Sequence, residues 1–195
     1  TEATSPNGLA QRALPPILYG ASHPYGRPPS GLGSPQSVGA LTRDSLVAFH
    51  PTWIRPETAR IFVVSDRPLS EIRRALDSRF GNWRGADVAV GRKDFTAAIP
   101  APQSRIVIVN RPQSPQSVIY AGAVLPITGR DDTVTLNAGN EILGNNFLSR
   151  INTEIRERRG WSYGLNGVLQ LRENRVPYVI NAPVQADRTG DSIRV

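Results

Sequence analysis

From Arg105 to Ala186 the apolar residues change period twice, and this order constrains the fold more than any other feature of the chain. Two extended runs come first, Arg105–Asn110 and Ser117–Leu125, separated by Arg111-Pro112-Gln113-Ser114-Pro115. Strands joined in this way suggest a hairpin-like pair. Helical spacing then takes over. Val134, Ala138 and Ile142 recur behind Asp131 and Asp132, whose charges suit a helix N-terminus, and the run closes at Gly144. A second helix is predicted at once, with Asn145 or Asn146 as its cap, Phe147, Ile151 and Ile155 as an apolar stripe with Leu148 beside it, and Gly160 as its stop. Period-two alternation returns with Tyr163, Leu165, Leu169 and Leu171 on one face and Asn166, Val168 and Gln170 on the other. Arg172–Arg175 turns the chain, Pro177–Ala186 reads as another extended segment, and Thr189 or Asp191 opens a further helix. Strands, then helices, then strands describe an α+β fold in which an antiparallel sheet is backed by helices.

The first half follows a looser version of the same grammar. Residues 1–38 are rich in Pro, Gly and Ser, with Pro15-Pro16 and Pro28-Pro29 pairs, and are predicted to be a looping connecting segment. Thr42 is placed to cap a helix over Arg43–His50 that Pro51 ends. The unbroken apolar run Ile61–Val64, closed by Ser65-Asp66, reads as a strand buried on both faces or lying between sheet and helix. Ile72, Ala75, Leu76 and Phe80 mark a helix over Leu69–Phe80, with Gly81 suited to the left-handed position just beyond it. Residues 84–104, punctuated by Gly85, Gly91, Pro100 and Pro102, hold no period and read as an interdomain linker.

Charge and composition remove several function classes. The formal charge of +7 invites a nucleic-acid reading, but Lys93 is the only lysine and the arginines are spread over every element. They are densest at Arg156, Arg158 and Arg159, where Glu154 and Glu157 intervene, so no phosphate-binding stripe emerges and no nucleic-acid partner is expected. No apolar run nears the roughly 20 residues that span a bilayer, so no membrane span is expected, and Thr1-Glu2-Ala3-Thr4 lacks the layout of a signal peptide. With no cysteine there is no disulfide framework, thiolate metal site or cysteine nucleophile.

Self-contained catalytic chemistry is equally hard to build. His23 and His50 are the only histidines and lie 27 positions apart on unlike elements, so neither the H-E-x-x-H nor the inverted H-x-x-E-H zinc signature is present. No metal site is therefore expected within this chain. His50 reads as a partly buried imidazole near a helix C-terminus, and His23 as part of a turn that Pro24 fixes and Tyr25 packs over. There is no G-x-S-x-G elbow, and Gly31-Leu32-Gly33 lacks the strand and helix that would make it a phosphate cradle.

The run Leu143-Gly144-Asn145-Asn146-Phe147-Leu148-Ser149-Arg150-Ile151, continuing through Glu154-Ile155-Arg156-Glu157-Arg158-Arg159-Gly160-Trp161-Ser162-Tyr163-Gly164, resembles the hallmark of pitrilysin/insulinase-type zinc metallopeptidases, the inverzincins. His23-Pro24-Tyr25-Gly26-Arg27-Pro28, Leu41-Thr42-Arg43-Asp44 and Trp53-Ile54-Arg55-Pro56 resemble the same proteins in the same order. One departure stands out: Asn145-Asn146 and Leu148 replace the small residues usual in that turn.

The resemblance implies two related α+β domains that close over a peptide substrate. One carries the inverted zinc motif with a Glu as general base, and the next supplies an Arg and a Tyr, here Arg156 and Tyr163. It assigns residues 1–88 to the tail of the zinc-type domain, 89–101 to a linker and 102–195 to the start of the Arg/Tyr-bearing domain. On this reading His23 is not a ligand, zinc is held outside this chain, and the partner is a zinc-motif-bearing domain or subunit. The chain alone should not cleave peptides. Bacterial relatives are often exported, which points to the periplasm. Spacing alone would make Tyr163 an ordinary sheet residue and Arg156 a solvated helix charge. Two other readings stay open: a structural assembly homologue of these peptidases, and a basic nucleic-acid binder.

Overall fold

Ser5 accepts a hydrogen bond from the Gly8 N–H at 3.0 Å and opens a helix, α1 (Pro6–Tyr19), in a stretch whose prolines predict loop. The structure is a computed structural model that describes residues 4–195. Pro6 sits at the helix start, where a missing N–H costs nothing. Pro15 and Pro16 lie deeper and each removes a backbone bond. The helix survives because tertiary packing rewards it: Leu14 and Leu18 press so closely on Gly122 that a Cβ there would stand 3.2 and 3.3 Å from their methyl groups. A second short helix, α2 (Pro35–Gly39), has a reciprocal cap between Ser34 and Ser37. The predicted connecting segment is thus largely helical.

The described residues form two compact units, one comprising those up to Leu32 with Asp94–Val195, the other Gly33–Lys93. In the smaller unit, α3 (Arg43–Trp53) begins at the Thr42 cap as predicted, but continues past Pro51. A proline in the last turn forfeits one bond, while the Ile54 N–H to His50 carbonyl and Thr52 hydroxyl to Ala48 carbonyl bonds carry the turn onward. His50 is exposed on it rather than partly buried. Arg55 then ties the unit together. Its buried guanidinium donates to both oxygens of Glu57, to the Pro51 carbonyl and, at 2.8 Å, to the Val88 carbonyl. Helix α4 (Leu69–Phe80) spans the predicted residues, but Gly81 follows in ordinary right-handed backbone at φ −58°. The predicted strand Ile61–Val64 finds no strand partner among the described residues, and Phe62 and Val64 are exposed rather than buried.

The larger unit holds the sheet. Its strands are β1 (Gln116–Thr128), β2 (Asn166–Leu169) and β3 (Arg175–Gln185), in the order β1-β3-β2 and antiparallel throughout. The predicted hairpin of Arg105–Asn110 with β1 is absent: β1 pairs with β3, from Gln116 opposite Gln185 to Val124 opposite Pro177. A strand exists only through its partner's hydrogen bonds, and among the described residues 105–110 find none. Ile180, Ala182 and Val184 of β3 face Ile155, Ile151 and Trp161, forming a core with Ile119 and Leu165. The opposite face, with Tyr120, Pro177 and Val179, lies against α1. Burying a side chain such as Val184 completely contributes about 1.5–3 kcal/mol. The sheet is therefore the middle of three layers.

The helical layer over the core is irregular. Helix α5 (Val134–Asn140) starts where Asp132 accepts from the Val134 N–H at 2.9 Å, then widens into π turns over Glu141–Asn145 instead of stopping at Gly144. Helix α6 (Arg150–Asn152) likewise widens over Thr153–Arg158. Ser149 occupies its cap position, while Asn146 closes a small turn by accepting from the Leu148 N–H. Gly160 ends it in left-handed backbone at φ +66°, as its position predicts. Helix α7 (Thr189–Arg194) follows β3.

Candidate functional site

Arg156 and Tyr163 meet at the end of α6. The Arg156 guanidinium stacks on the Phe147 ring, 3.7 Å from its centroid, and lies 5.8 Å from the centroid of Tyr163. Glu157 forms an ion pair with the same guanidinium. Three aromatic or acidic neighbours thus hold a side chain whose long stem would otherwise wander. The nearby cations are engaged elsewhere: Arg158 and Arg159 both bind Glu154, and Arg159 also lies over Trp161. Arg159, then Arg158, hold the Glu154 carboxyl below its ordinary pKa.

Tyr163 is 89% exposed, although the backbone on either side of it is pinned. Trp161 donates to the Ile155 carbonyl and accepts from the Gln185 N–H at 2.9 Å. The Gln185 side chain donates to the Gly160 carbonyl. Ser162 donates its hydroxyl to the Pro183 carbonyl and accepts from the Gly164 N–H at 3.1 Å. Leu165 is 5% exposed and both its peptide groups are held by Asn152. The predicted common face of Tyr163 and Leu165 therefore does not exist. The ladder starts only at Asn166, and the loop before it turns Leu165 into the core and Tyr163 into solvent. An aromatic ring displayed by a rigid loop loses little entropy when it meets a ligand.

Two asparagines join the helices to this loop and to the strands behind it, and sequence reasoning passed over both. Asn152 donates to the Leu165 carbonyl at 2.7 Å and accepts from the Leu165 N–H at 3.0 Å. Asn140 donates to the Gly167 carbonyl at 2.7 Å and accepts from the Tyr178 hydroxyl at 2.8 Å. Burial pushes the Tyr178 hydroxyl pKa up. A signal was available: Asn152 lies at helical spacing from Leu148 and Ile155, where a poor helix former on an apolar face must find a specific partner.

His23 belongs to a different cluster. It caps the single turn Pro24–Gly26 by accepting from the Tyr25 N–H at 3.0 Å, so Pro24 fixes the turn as predicted. Its ring stacks on Tyr19 at 5.2 Å, with Tyr25 and Phe95 completing the surround. Burial pushes the His23 pKa down, and the Arg172 guanidinium adds to the fall. Tyr19 donates to the Arg175 carbonyl at 2.8 Å, and burial raises its pKa to about 12. Among the described residues no group of three or more His, Asp or Glu could hold a metal ion. The donor set around His23, aromatic carbon and one arginine, does not fit zinc.

Residues 40–195 match the peptidase M16 inactive domain family. Uncharacterised zinc proteases of Mycobacterium bovis and Mycobacterium tuberculosis are 28% identical over 180 residues, covering 91% of this chain and 40% of each relative. The chain thus spans about two fifths of the length of the curated relatives it matches. The crystal structure of a peptidase M16 inactive domain from Pseudomonas fluorescens matches with a TM-score of 0.84 at 25% identity, over 99% of this chain and 45% of that one. A protease from Helicobacter pylori shares the fold, with a TM-score of 0.77 at 17% identity over 98% and 47% of the two chains.

Proposed function

The chain belongs to the peptidase M16 inactive domain family, of pitrilysin type, and from that premise we propose that it is the zinc-free, substrate-binding part of a zinc metalloendopeptidase. The observation that carries this reading is Tyr163, exposed on a pinned loop with the Arg156 guanidinium 5.8 Å from its ring. Residues 1–88 would be the tail of the zinc-bearing domain, 89–101 a linker and 102–195 the start of the Arg/Tyr-bearing domain. Helix α1 would then reach across from one domain to the sheet of the next.

In this assignment the phenol of Tyr163 donates a hydrogen bond to the scissile carbonyl oxygen and strengthens it as that oxygen gains charge in the tetrahedral intermediate. Arg156 presents a planar fork to flanking carbonyls of an extended peptide. Its stack on Phe147 fixes the plane of that fork before substrate arrives, so less ordering is left for the binding step. Zinc belongs to a zinc-motif-bearing domain or subunit outside this chain, and the chain by itself is inactive.

The test is complementation. Joined to its zinc-bearing counterpart, the wild-type chain should support chelator-sensitive cleavage of a fluorogenic peptide. Tyr163→Phe should lower turnover by about a hundredfold to a thousandfold. The contacts of Arg156 with Phe147 and Glu157 would equally suit an assembly homologue without catalysis. No cleavage by any pairing would favour that alternative, whereas full activity of Tyr163→Phe would remove the role given to Tyr163.

A further inference from the structure

We infer that Asn152 is a positioning residue that sets where Tyr163 stands relative to Arg156, an inference that rests on the catalytic reading of that pair. Asn152 is 2% exposed. A side-chain amide offers the same donor and acceptor as a peptide group, and here it pairs with Leu165 as a neighbouring strand would. It takes the N–H of Leu165 at 3.0 Å and gives a proton to its carbonyl at 2.7 Å. Leu165 lies two residues past Tyr163 and immediately before β2. The second proton of the amide is left for the Asn146 carbonyl at 3.1 Å and the Ser149 hydroxyl at 3.3 Å.

These partners lie on the three segments that surround the Arg/Tyr pair. Asn146 precedes Phe147, the ring beneath the Arg156 guanidinium. Ser149 opens the helix that carries Arg156, which lies one wide turn beyond Asn152. Leu165 closes the loop that displays Tyr163. One buried amide therefore fixes the turn, the helix and the loop to one another. An apolar side chain of similar volume could fill the space, yet it would leave both Leu165 peptide groups without a partner inside the fold. The loop would then settle wherever they could be satisfied, carrying Tyr163 with it. Misplacement of about 1 Å at a reacting group can cost about a hundredfold.

The experiment is a double-mutant cycle in the full parental chain, or in the complex with the zinc-bearing partner, read on an internally quenched fluorogenic peptide. Asn152→Ala should lower kcat roughly 10-fold to 100-fold with KM within about threefold of wild type. In a Tyr163→Phe background the same change should cost less than about threefold, because no hydroxyl remains to be misplaced. A residue needed only for folding would multiply the two losses, and that result would overturn the inference. Asn152→Asp keeps the size and the acceptor for the Leu165 N–H but turns a carboxylate oxygen toward the Leu165 carbonyl, so it too should lower kcat, with the same non-additivity, and serves if the alanine variant folds poorly. Hydrogen exchange supplies a readout that needs no turnover: the Leu165 amide should exchange faster in Asn152→Ala, which loses its acceptor, and keep its protection in Asn152→Asp, while the β3 amides stay protected in both. Unchanged Leu165 protection in Asn152→Ala would overturn the inference by itself. Wild-type kcat in Tyr163→Phe, with Leu165 exchange accelerated in Asn152→Ala, would instead overturn the catalytic role of Tyr163 and leave Asn152 a loop anchor without a rate effect.

Discussion

At His23 one ring nitrogen is in use and the other is idle. Nδ1 accepts from the Tyr25 N–H, so the neutral ring carries its proton on Nε2, which is buried and has no partner among the described residues. Charging this ring means adding a cation beside Tyr19, Tyr25, Phe95 and the Arg172 guanidinium, so its folded pKa lies below the 6.5 of the unfolded chain. The unfolded state therefore takes up the proton first. The stability that the neutral ring contributes is complete above pH 6.5 and is lost as pH falls towards the folded pKa, at about 1.4 kcal/mol per pH unit. Melting temperatures from pH 7.5 to 5 should fall more steeply for wild type than for His23→Asn, whose side-chain oxygen can still accept from Tyr25. Equal slopes would show that His23 is not the titrating group. At this scale the sequence read His23 correctly because proline fixes its turn locally. It could not place Tyr163, whose direction depends on bonds to Asn152, Pro183 and Gln185 far along the chain.

Gly160 shows how one element boundary sets the site. It ends the widened helix that carries Arg156 and begins the loop that carries Tyr163, at a φ of +66° that side chains with a Cβ disfavour. The space around its missing Cβ is open, so a substitution pays in backbone conformation alone. Gly160→Ala should cost about 1–2 kcal/mol and Gly160→Asn less, since asparagine visits that region more readily. The melting order wild type, Asn, Ala checks this, and equal melting of all three would contradict it. Gly167 obeys a different constraint. A Cβ there would collide with the Tyr178 hydroxyl that Asn140 binds, so Gly167→Ala should disrupt the contact of α5 with β2 and lower stability by more than Gly160→Ala. Helix spans were largely legible because spacing, caps and glycine stops are local signals. Helix α1 was not, because its prolines argue against a helix and its reward comes from Gly122, a residue beyond local reach.

Across the whole chain the apolar surface is unevenly covered. Phe62 and Val64 in the smaller unit are 87% and 103% exposed, and Ile106 and Ile108 in the larger are 75% and 85% exposed. Each segment carries the residues of a buried strand with no strand beside it among the described residues, which is a template for pairing with other chains. The isolated 195-residue chain should bind a hydrophobic dye and scatter more light as its concentration rises. Replacing Phe62 and Ile106 with lysine should reduce both signals, whereas unchanged signals would place the sticky surface elsewhere. By itself the sequence determined the α+β order of periods, most helix positions and the Arg156 to Tyr163 segment, since each is written within a few turns of chain. Only the tertiary structure decided that β1 pairs with β3, that Ile61–Val64 and Arg105–Asn110 pair with no described strand, and that Leu165 turns inward while Tyr163 turns out. Strand pairing and buried amide contacts join residues distant in sequence, and no local period encodes which distant partner a peptide group will find.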